Sequence, residues 1–292
     1  MEYTIENEFI KVTVTTSGAQ VKSVIHKTDN VEHMWCGDPD VWGFHAPVLF
    51  PHCGKVVDGI IEAKGMKCES PIHGFVRFME HELVEHTEGS IVLELCSSRE
   101  TWTHFPYNFR LLSIFMIENE TLHHTLQVEN LDEDDMPFSI GYHPGFSVPF
   151  DDAHTATDYE LRFSEMESPI CVNNMPDGLT HRDHYYFPSN IRSIPVDEDL
   201  FSNGSHCMIN LRSGTLGLYE KGSGRGVVCN IEGFPYTLLW SKSGMPRFVC
   251  IEPWHGLPSY ANGSSKWEEK AHAAILKPCE TWSTTMSTSF VR

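Results

Sequence analysis

The chain has 292 residues, of which 40% are hydrophobic and 11% aromatic, so it can bury a full core. Its formal net charge is -19, and an acidic surface of this size disfavours nucleic acid and anionic membranes as partners. There is no stretch of about 18 apolar residues and no basic, apolar signal segment, so the sequence predicts a soluble, cytoplasmic protein. Nine cysteines lie singly without a CxxC pair, as suits a reducing compartment.

Short alternating segments dominate the chain and predict β-strands along most of its length. The first two, residues 9–15 and 20–26, are separated by Ser17-Gly18 and predict a hairpin. One short helix is predicted at residues 99–104, with Ser98 as its N-cap. The other predicted strands are residues 91–96, 110–118, 121–130, 136–142, 159–163, 208–211, 215–219, 226–231, 236–241, 248–251 and 281–289.

Residues 164–200 are rich in Pro, Asn and Asp and predict long loops. No Gly/Ser linker, charge block or internal repeat divides the chain. The sequence therefore predicts one all-β domain over residues 1–292, built of antiparallel strands.

Residues 137–146 place one ionisable group at the end of an apolar strand. Phe138 and Ile140 alternate with small residues, and the strand pattern stops at His143-Pro144. Because a proline restricts the preceding residue to extended conformations, the imidazole of His143 is expected on a stiff strand end. From these residues alone, a catalytic histidine and a structural histidine held by a backbone hydrogen bond both remain open.

A second stretch, residues 248–256, repeats this arrangement with Glu252 directly before a proline. A buried carboxylate left alone is costly, so Glu252 is expected to have a partner or to lie in a pocket, and a loop-capping glutamate is the alternative. Trp240 and Trp254 offer flat faces to the C–H face of a sugar, although core packing explains either tryptophan equally well. His73, which stands before a glycine, is another histidine at the end of an element.

Three separated motifs together resemble the aldose 1-epimerase (galactose mutarotase) family, in particular its LacX-like branch. They are Ile-His-Gly-Phe at residues 72–75, Phe-Ser-Ile-Gly-Tyr-His-Pro at 138–144 and Ile-Glu-Pro-Trp at 251–254, in the family's order. The resemblance covers nearly the whole chain. It implies a galactose-mutarotase-like β-supersandwich of large antiparallel sheets, with an open sugar cleft and no cofactor.

The resemblance also implies a role for each of these polar residues. Glu252 would be the general base, His143 the general acid, and His73 a second imidazole that binds and polarises the sugar. The expected reaction interconverts the α and β anomers of a free aldohexose by ring opening and reclosure. Where galactose enzymes carry a substrate-binding arginine, this chain has Lys55, which keeps the charge but loses the bidentate geometry. The candidate substrate-binding residues are Lys55, Arg77, Trp240 and Trp254.

Three alternatives remain beside the free aldose. Hexose-6-phosphate 1-epimerases share the motif His-Gly-x-x-Arg, here residues 73–77, so that Lys55 and Arg77 could hold a phosphate. The net charge of -19 and the small number of cations favour a neutral aldohexose such as glucose or galactose instead. A non-catalytic carbohydrate-binding protein and a glycoside hydrolase are the other two, and the hydrolase normally needs two facing carboxylates.

No metal site is expected. His123 and His124 are adjacent on a strand and would point to opposite faces, while His181 and His184 lie in a segment without a third spaced ligand. The predicted partner is the small sugar substrate, and the protein itself is expected to be a monomer or a homodimer.

Overall fold

The computed structural model describes residues 1–292 and consists almost entirely of β-strands. The strands are β1 (Glu2–Glu6), β2 (Ile10–Thr15), β3 (Gln20–His26), β4 (Val31–Glu32), β5 (Val48–Leu49), β6 (Ile60–Ala63), β7 (Met66–Glu69), β8 (Glu82–His86), β9 (Ser90–Cys96), β10 (Phe109–Glu118), β11 (Thr121–Asn130), β12 (Met136–Phe138), β13 (Ile140–Tyr142), β14 (Gly145–Ser147), β15 (Tyr159–Glu167), β16 (Ile170–Val172), β17 (His184–Tyr186), β18 (Ile191–Pro195), β19 (His206–Ile209), β20 (Thr215–Glu220), β21 (Gly226–Asn230), β22 (Tyr236–Trp240), β23 (Phe248–His255), β24 (Ala274–Leu276) and β25 (Thr281–Val291). The helices are α1 (Arg99–Trp102) and short 3-10 turns at Val57–Gly59, Val76–Phe78, Ala156–Asp158 and Trp267–Glu269. None of these helices has the length and apolar character needed to cross a membrane.

Two large antiparallel sheets organise the molecule. The first has nine strands in the order β18-β15-β20-β21-β25-β11-β10-β9-β8. The second has eight strands, in the order β17-β16-β19-β22-β23-β13-β5, with β14 also paired to β23. A four-stranded sheet, β1-β2-β3-β4, and the pairs β6-β7 and β12-β24 complete the structure. The predicted all-β class with large antiparallel sheets is confirmed.

The largest buried apolar cluster joins the two large sheets and has 34 residues. Leu161 of β15 and Leu218 of β20 enter it from the nine-stranded sheet, and Ile251 of β23 enters it from the eight-stranded sheet. A fully buried Leu or Ile side chain contributes about 1.5–3 kcal/mol to stability. Because side chains alternate along a strand, Glu252 and Trp254 of β23 lie on the opposite face of the sheet. That second face carries the cleft described below.

Strand β23 pairs with two consecutive short strands, β13 and β14. Gly141 of β13 lies opposite Trp254, and Gly145 of β14 lies opposite Cys250. Four residues separate the two pairs along β23 and four along the β13–β14 segment, so the register is unbroken across the gap between β13 and β14. Counting inward from either pair places residue 143 opposite residue 252.

His143 and Glu252 are therefore cross-strand neighbours in an interrupted ladder. The interruption has a chemical cause, since Pro144 and Pro253 have no N–H to donate to the ladder. Residues directly opposite on antiparallel strands have Cβ atoms about 4.5–5.5 Å apart on one face. The fold thus brings an imidazole and a carboxylate together through backbone register.

The predicted helix is confirmed, and several strand boundaries differ from the predicted ones. Helix α1 begins after Ser98, whose side chain accepts a hydrogen bond from the N–H of Thr101. The strand predicted at 136–142 is divided into β12 and β13, because β12 pairs with β24 and β13 with β23. The strand predicted at 248–251 continues to His255 as β23, so Glu252 lies inside a strand rather than at its end.

The prediction of long loops at 164–200 is confirmed for residues 173–183 and is wrong for the strands on either side of them. Strand β15 extends to Glu167, and the segment also contains β16, β17 and β18. β17 and β18 are edge strands of the two large sheets, and β17 is mostly exposed. An edge strand with little buried surface has no reason to show apolar alternation, which explains why the sequence pattern missed these strands.

Two glycines make room for aromatic rings beside His143. Gly141 and Gly145 stand two residues on either side of it, so all three positions share one face. A Cβ on Gly141 would collide with the ring of Trp254, and a Cβ on Gly145 would lie 2.7 Å from Cζ3 of Trp42. A side chain at either position would push an indole ring out of the wall of the cleft.

We expect Gly141→Ala to destabilise the protein by about 1–3 kcal/mol, the usual cost of overpacking. Thermal unfolding followed by circular dichroism measures this as a lower Tm. Gly89→Ala is the matched control, because nothing lies within 4 Å of a Cβ at that turn position. An unchanged Tm for Gly141→Ala would contradict the packing described here.

Candidate active site

A cleft of about 390 Å³ lies on the face of the eight-stranded sheet opposite the main core. Six of the seven residues predicted to form the site line it: His73, Arg77, His143, Trp240, Glu252 and Trp254. The other lining residues are Trp42, Phe44, Gly54, Ile72, Asn174, Met175, Gly178, Ser205, Leu238 and Pro258. Lys55 is the predicted residue that does not line the cleft.

His143 and Glu252 form a buried pair at the floor of the cleft. Nε2 of His143 lies 3.4 Å from Oε2 of Glu252, and the side chains are 7% and 2% exposed. Neither Oε2 of Glu252 nor Nδ1 of His143 has a hydrogen-bond partner in the protein. An unpartnered buried carboxylate oxygen is costly, so this pair is incomplete without a ligand that donates to it.

Burial sets the protonation of this pair. It raises the pKa of Glu252 well above its ordinary value. It also lowers the pKa of His143 to about 3, and the positive charge of Arg77 acts in the same direction. Both shifts favour the uncharged side chain. When the pair holds one proton, that proton can lie on Glu252, which gives a neutral pair, or on His143, which gives an ion pair.

His73 is held as a neutral hydrogen-bond donor. The N–H of Gly54 donates to Nδ1 of His73 at 3.0 Å, which leaves the ring proton of the neutral imidazole on Nε2. Burial, followed by the charge of His143, lowers the pKa of His73 well below its ordinary value. The backbone of His73 has a φ of 67°, an uncommon conformation that is concentrated at functional sites. Its ring stands edge-on to that of His143, with centroids 5.2 Å apart.

Aromatic rings surround the imidazole of His143. Trp42 stacks on it with centroids 4.9 Å apart, and Trp240 meets it edge-on at 5.5 Å. Trp254 is fixed by a hydrogen bond from its indole N–H to the carbonyl of Tyr142. Trp42 was not among the residues predicted to form the site, yet it lines the cleft. These rings exclude water and provide flat apolar faces in the cleft.

Arg77 enters the cleft without a carboxylate partner. Its guanidinium carbon lies 4.7 Å from the ring centroids of both Phe44 and Phe78. Burial lowers the pKa of Arg77 to about 10, and its Nε has no hydrogen-bond partner. Arg77 is still charged at neutral pH, and the two rings support it by cation–π contact. It is a fixed donor with unused hydrogen-bonding capacity.

Lys55 lies behind the cleft wall. Its ammonium donates to the carbonyl of Asp177 at 2.7 Å, and its side chain passes beside Gly178. We call residues 173–181 the strap, since this segment forms one wall of the cleft through Asn174 and Gly178. Lys55 therefore touches the strap rather than the open space of the cleft.

Asn174 is a polar residue of the cleft that the sequence did not single out. Its Oδ1 is buried without a partner, while its Nδ2 donates weakly to the carbonyl of Leu179 at 3.4 Å. The turn Asn-Asn-Met-Pro-Asp-Gly at residues 173–178 was visible in the sequence, but it lay in the region predicted to be loops. No local pattern says that such a turn folds back over a distant strand.

Three potential metal-ligand atoms, from His143 and Glu252 of the cleft and from the buried Cys250, lie within 4.8 Å of one another. A metal would require a thiolate at Cys250, but burial raises the pKa of this thiol well above its ordinary value. Burial also favours a protonated Glu252. The donor set is thus better suited to proton transfer than to holding a metal.

The chain belongs to the aldose 1-epimerase family, whose model matches residues 1–287. The chain is 31% identical to the chromosomal LacX protein of Lactococcus lactis subsp. lactis over 289 residues, covering 96% of each. Its fold matches the galactose mutarotase related enzyme from Lactobacillus acidophilus with a TM-score of 0.94 at 28% identity, covering 100% of this chain and 98% of that chain. A galactose mutarotase-like protein from Lactobacillus casei has a TM-score of 0.90 at 26% identity, with 99% of both chains covered. The predicted resemblance is confirmed.

For the anomer interconversion that the resemblance implies, we expect a bell-shaped pH profile of kcat/KM, because only the pair with one proton can act. Below the acid limb His143 binds a second proton, and since its pKa is about 3, this limb should lie well below the ordinary histidine value of 6.5. Above the basic limb the pair has lost its proton, and the raised pKa of Glu252 shifts this limb upward. Polarimetric initial rates from about pH 2.5 to about pH 10 test this. An acid limb centred near 6.5, with proton transfer shown to limit the rate, would contradict it.

We expect Lys55→Met to raise KM by about three- to tenfold with a smaller change in kcat, because one hydrogen bond to the strap is lost. Lys55→Arg keeps a cationic donor and should retain most of the affinity. Steady-state kinetics with glucose and glucose 6-phosphate provide the measurement. A loss confined to the phosphate ester would indicate instead that Lys55 contacts the substrate directly.

Proposed function

We propose that the protein is an aldose 1-epimerase that interconverts the anomers of a free aldohexose. The observation that carries the proposal is the 3.4 Å His143–Glu252 pair, buried in a cleft beside a neutral, donating His73. Mutarotation needs one group that takes the proton of the C1 hydroxyl and another that gives a proton to the ring oxygen. A pair that shares one proton supplies both functions.

The reaction begins from the ion-pair form of the site. Glu252 removes the proton of the C1 hydroxyl, the C1–O5 bond breaks with its electrons going to O5, and His143 protonates O5. C1 becomes an aldehyde, which rotates about the C1–C2 bond and recloses by the reverse transfers. Ring opening leaves a neutral carboxylic acid and a neutral imidazole, the forms that burial favours. The low-polarity site therefore assists both proton transfers.

The substrate itself would prepare the reactive form. The unpartnered Oε2 of Glu252 can accept a hydrogen bond from the C1 hydroxyl, which stabilises the carboxylate and favours moving its proton to His143. His73 would donate from Nε2 to a sugar oxygen, and Trp240 offers its face to the C–H face of the ring. The other unpaired donor in the cleft, Arg77, would bind a ring hydroxyl.

A hexose 6-phosphate is the second candidate substrate, and the observation that favours it is the unpaired charge of Arg77. Against it, Lys55 is engaged with the strap, so a phosphate dianion would meet a single arginine. Phosphate sites normally gather several donors. The net charge of -19 also gives a dianion no long-range attraction.

We expect Glu252→Gln to lower kcat by about 10²–10⁴, because the amide keeps the shape of the side chain but cannot accept the proton. The folded variant should be at least as stable as the wild type at alkaline pH. The raised pKa of Glu252 means that folding favours its protonated form, a preference that destabilises the native protein as pH rises above 4.5. Polarimetry with freshly dissolved α-glucose and thermal unfolding measure the two effects.

The matched control is Glu167→Gln, a buried glutamate outside the cleft whose Oε1 accepts the N–H groups of Arg212 and Ser213. It should leave kcat close to that of the wild type. A Glu252→Gln variant with wild-type kcat would remove the general base from the mechanism. A wild-type protein that binds glucose but never accelerates its mutarotation would favour the non-catalytic carbohydrate-binding alternative.

We expect kcat/KM for glucose to equal or exceed that for glucose 6-phosphate, with Arg77→Ala lowering both. The reason is that Arg77 would donate a hydrogen bond to a ring hydroxyl, which both sugars have, and would not bind the phosphate. If the ester is preferred tenfold or more, a difference of about 1.4 kcal/mol, and Arg77→Ala abolishes that preference, the protein acts on the phosphorylated sugar.

A further inference from the structure

A second concavity, larger than the cleft, lies on the same face of the eight-stranded sheet. Its volume is about 730 Å³, and we call it the side chamber. Tyr236 of β22 lies in the chamber, whereas Leu238 and Trp240, two and four residues further along the same strand, line the cleft. No residue lines both spaces.

The strap forms the partition between the two spaces. The N–H of Thr180 donates to the carbonyl of Ser259 at 2.9 Å, and the N–H of Ala261 donates to the carbonyl of Thr180 at 3.0 Å. The hydroxyl of Thr180 also donates to the carbonyl of Pro258. These contacts between the strap and residues 258–261 lie between the residues that line the cleft and those that line the chamber.

The charges lining the chamber differ in sign from those of the molecule as a whole. The chain has 40 acidic residues, but none of the sixteen residues that line the chamber is Asp or Glu. Arg182 and His184 lie there without an ion-pair partner, whereas His181 is paired with Asp177. The nearby carboxylates of Asp177 and Asp183 interact with His181 and Asn173, so Arg182 is left as an unpaired cation that favours an anion over a metal.

One wall of the chamber is a fixed aromatic surface. The hydroxyl of Tyr236 lies 2.9 Å from Nδ1 of His272, and that of Tyr260 lies 3.0 Å from Nε2 of the same ring. Both imidazole nitrogens are occupied, so His272 orients the two phenol rings and is not free to act as a base. Asn210 and Asn262 also line the chamber.

We propose that the side chamber is a non-catalytic binding site for a sugar-derived anion, with the carboxylate or phosphate at Arg182 and the sugar ring against the Tyr236–His272–Tyr260 wall. Arginine is suited to both anionic groups because its fork of N–H donors matches their oxygens. Aromatic faces accept the C–H face of a sugar, and the amides of Asn210 and Asn262 reach its hydroxyls. No carboxylate that could act as a base lies in the chamber, so the ligand is bound and released unchanged.

Direct binding tests the proposal without requiring turnover, so that its failure and a failure of the proposed epimerase activity are distinguishable. Isothermal titration calorimetry would compare glucose 6-phosphate, glucuronate, inorganic phosphate and glucose. We expect the two sugar anions to bind more tightly than glucose or phosphate, and the stronger of the two identifies the anionic group. Arg182→Gln should weaken their binding at least tenfold. Arg192→Gln makes the same change of charge on β18 of the other sheet and should have no effect.

The location is tested by histidine imidazole resonances in NMR spectra, where saturation with the anion should shift His184 and His272. Arg77→Gln should leave this second binding event in place. The proposal is overturned if Arg182→Gln binds the sugar anions as tightly as Arg192→Gln does, or if Arg77→Gln abolishes all anion binding. Shifts confined to His73 and His143 would likewise assign the ligand to the cleft alone.

Discussion

The site depends on one backbone constraint, the register that sets His143 of the β13–β14 segment opposite Glu252 of β23. Each residue stands directly before a proline, and the two prolines remove the donors that would otherwise close the ladder between them. The two side chains meet because their strands are held in register on both sides of the gap. A site built from cross-strand neighbours is more precise than one built from loops, since the flanking hydrogen bonds fix its geometry.

The same arrangement has a cost that the rest of the cleft offsets. A carboxylate and an imidazole with unpartnered atoms are buried together, which lowers stability. The surrounding apolar contacts compensate, because Trp42 stacks on His143 and small residues at 141 and 145 let the indole rings approach the sheet. Burial in turn moves the two pKa values in opposite directions, so the groups that weaken the fold acquire the proton-sharing behaviour that the chemistry requires.

The sequence predicted the features of the site that have a local pattern and missed those that depend on contacts between distant segments. Prolines after His143 and Glu252 and strand-like alternation before them predicted two ionisable residues delivered by strands, although not that they face each other. The resemblance to a family supplied that link. Lys55 shows the limit, since the resemblance implied substrate contact while its ammonium donates to the carbonyl of Asp177 far along the chain. Asn174 was invisible because a turn in the polar 164–200 segment carries no signal of the strand it covers.

The strap borders both the cleft and the side chamber, and only the cleft has a carboxylate, Glu252, among its lining residues. Its Asn174 end borders the cleft, and its Thr180 end is hydrogen-bonded to the segment that borders the side chamber. Lys55 holds the middle, and the neighbouring Gly54 fixes the tautomer of His73. A movement of the strap would therefore displace the cleft wall and, through the Gly54–Lys55 peptide, the imidazole of His73.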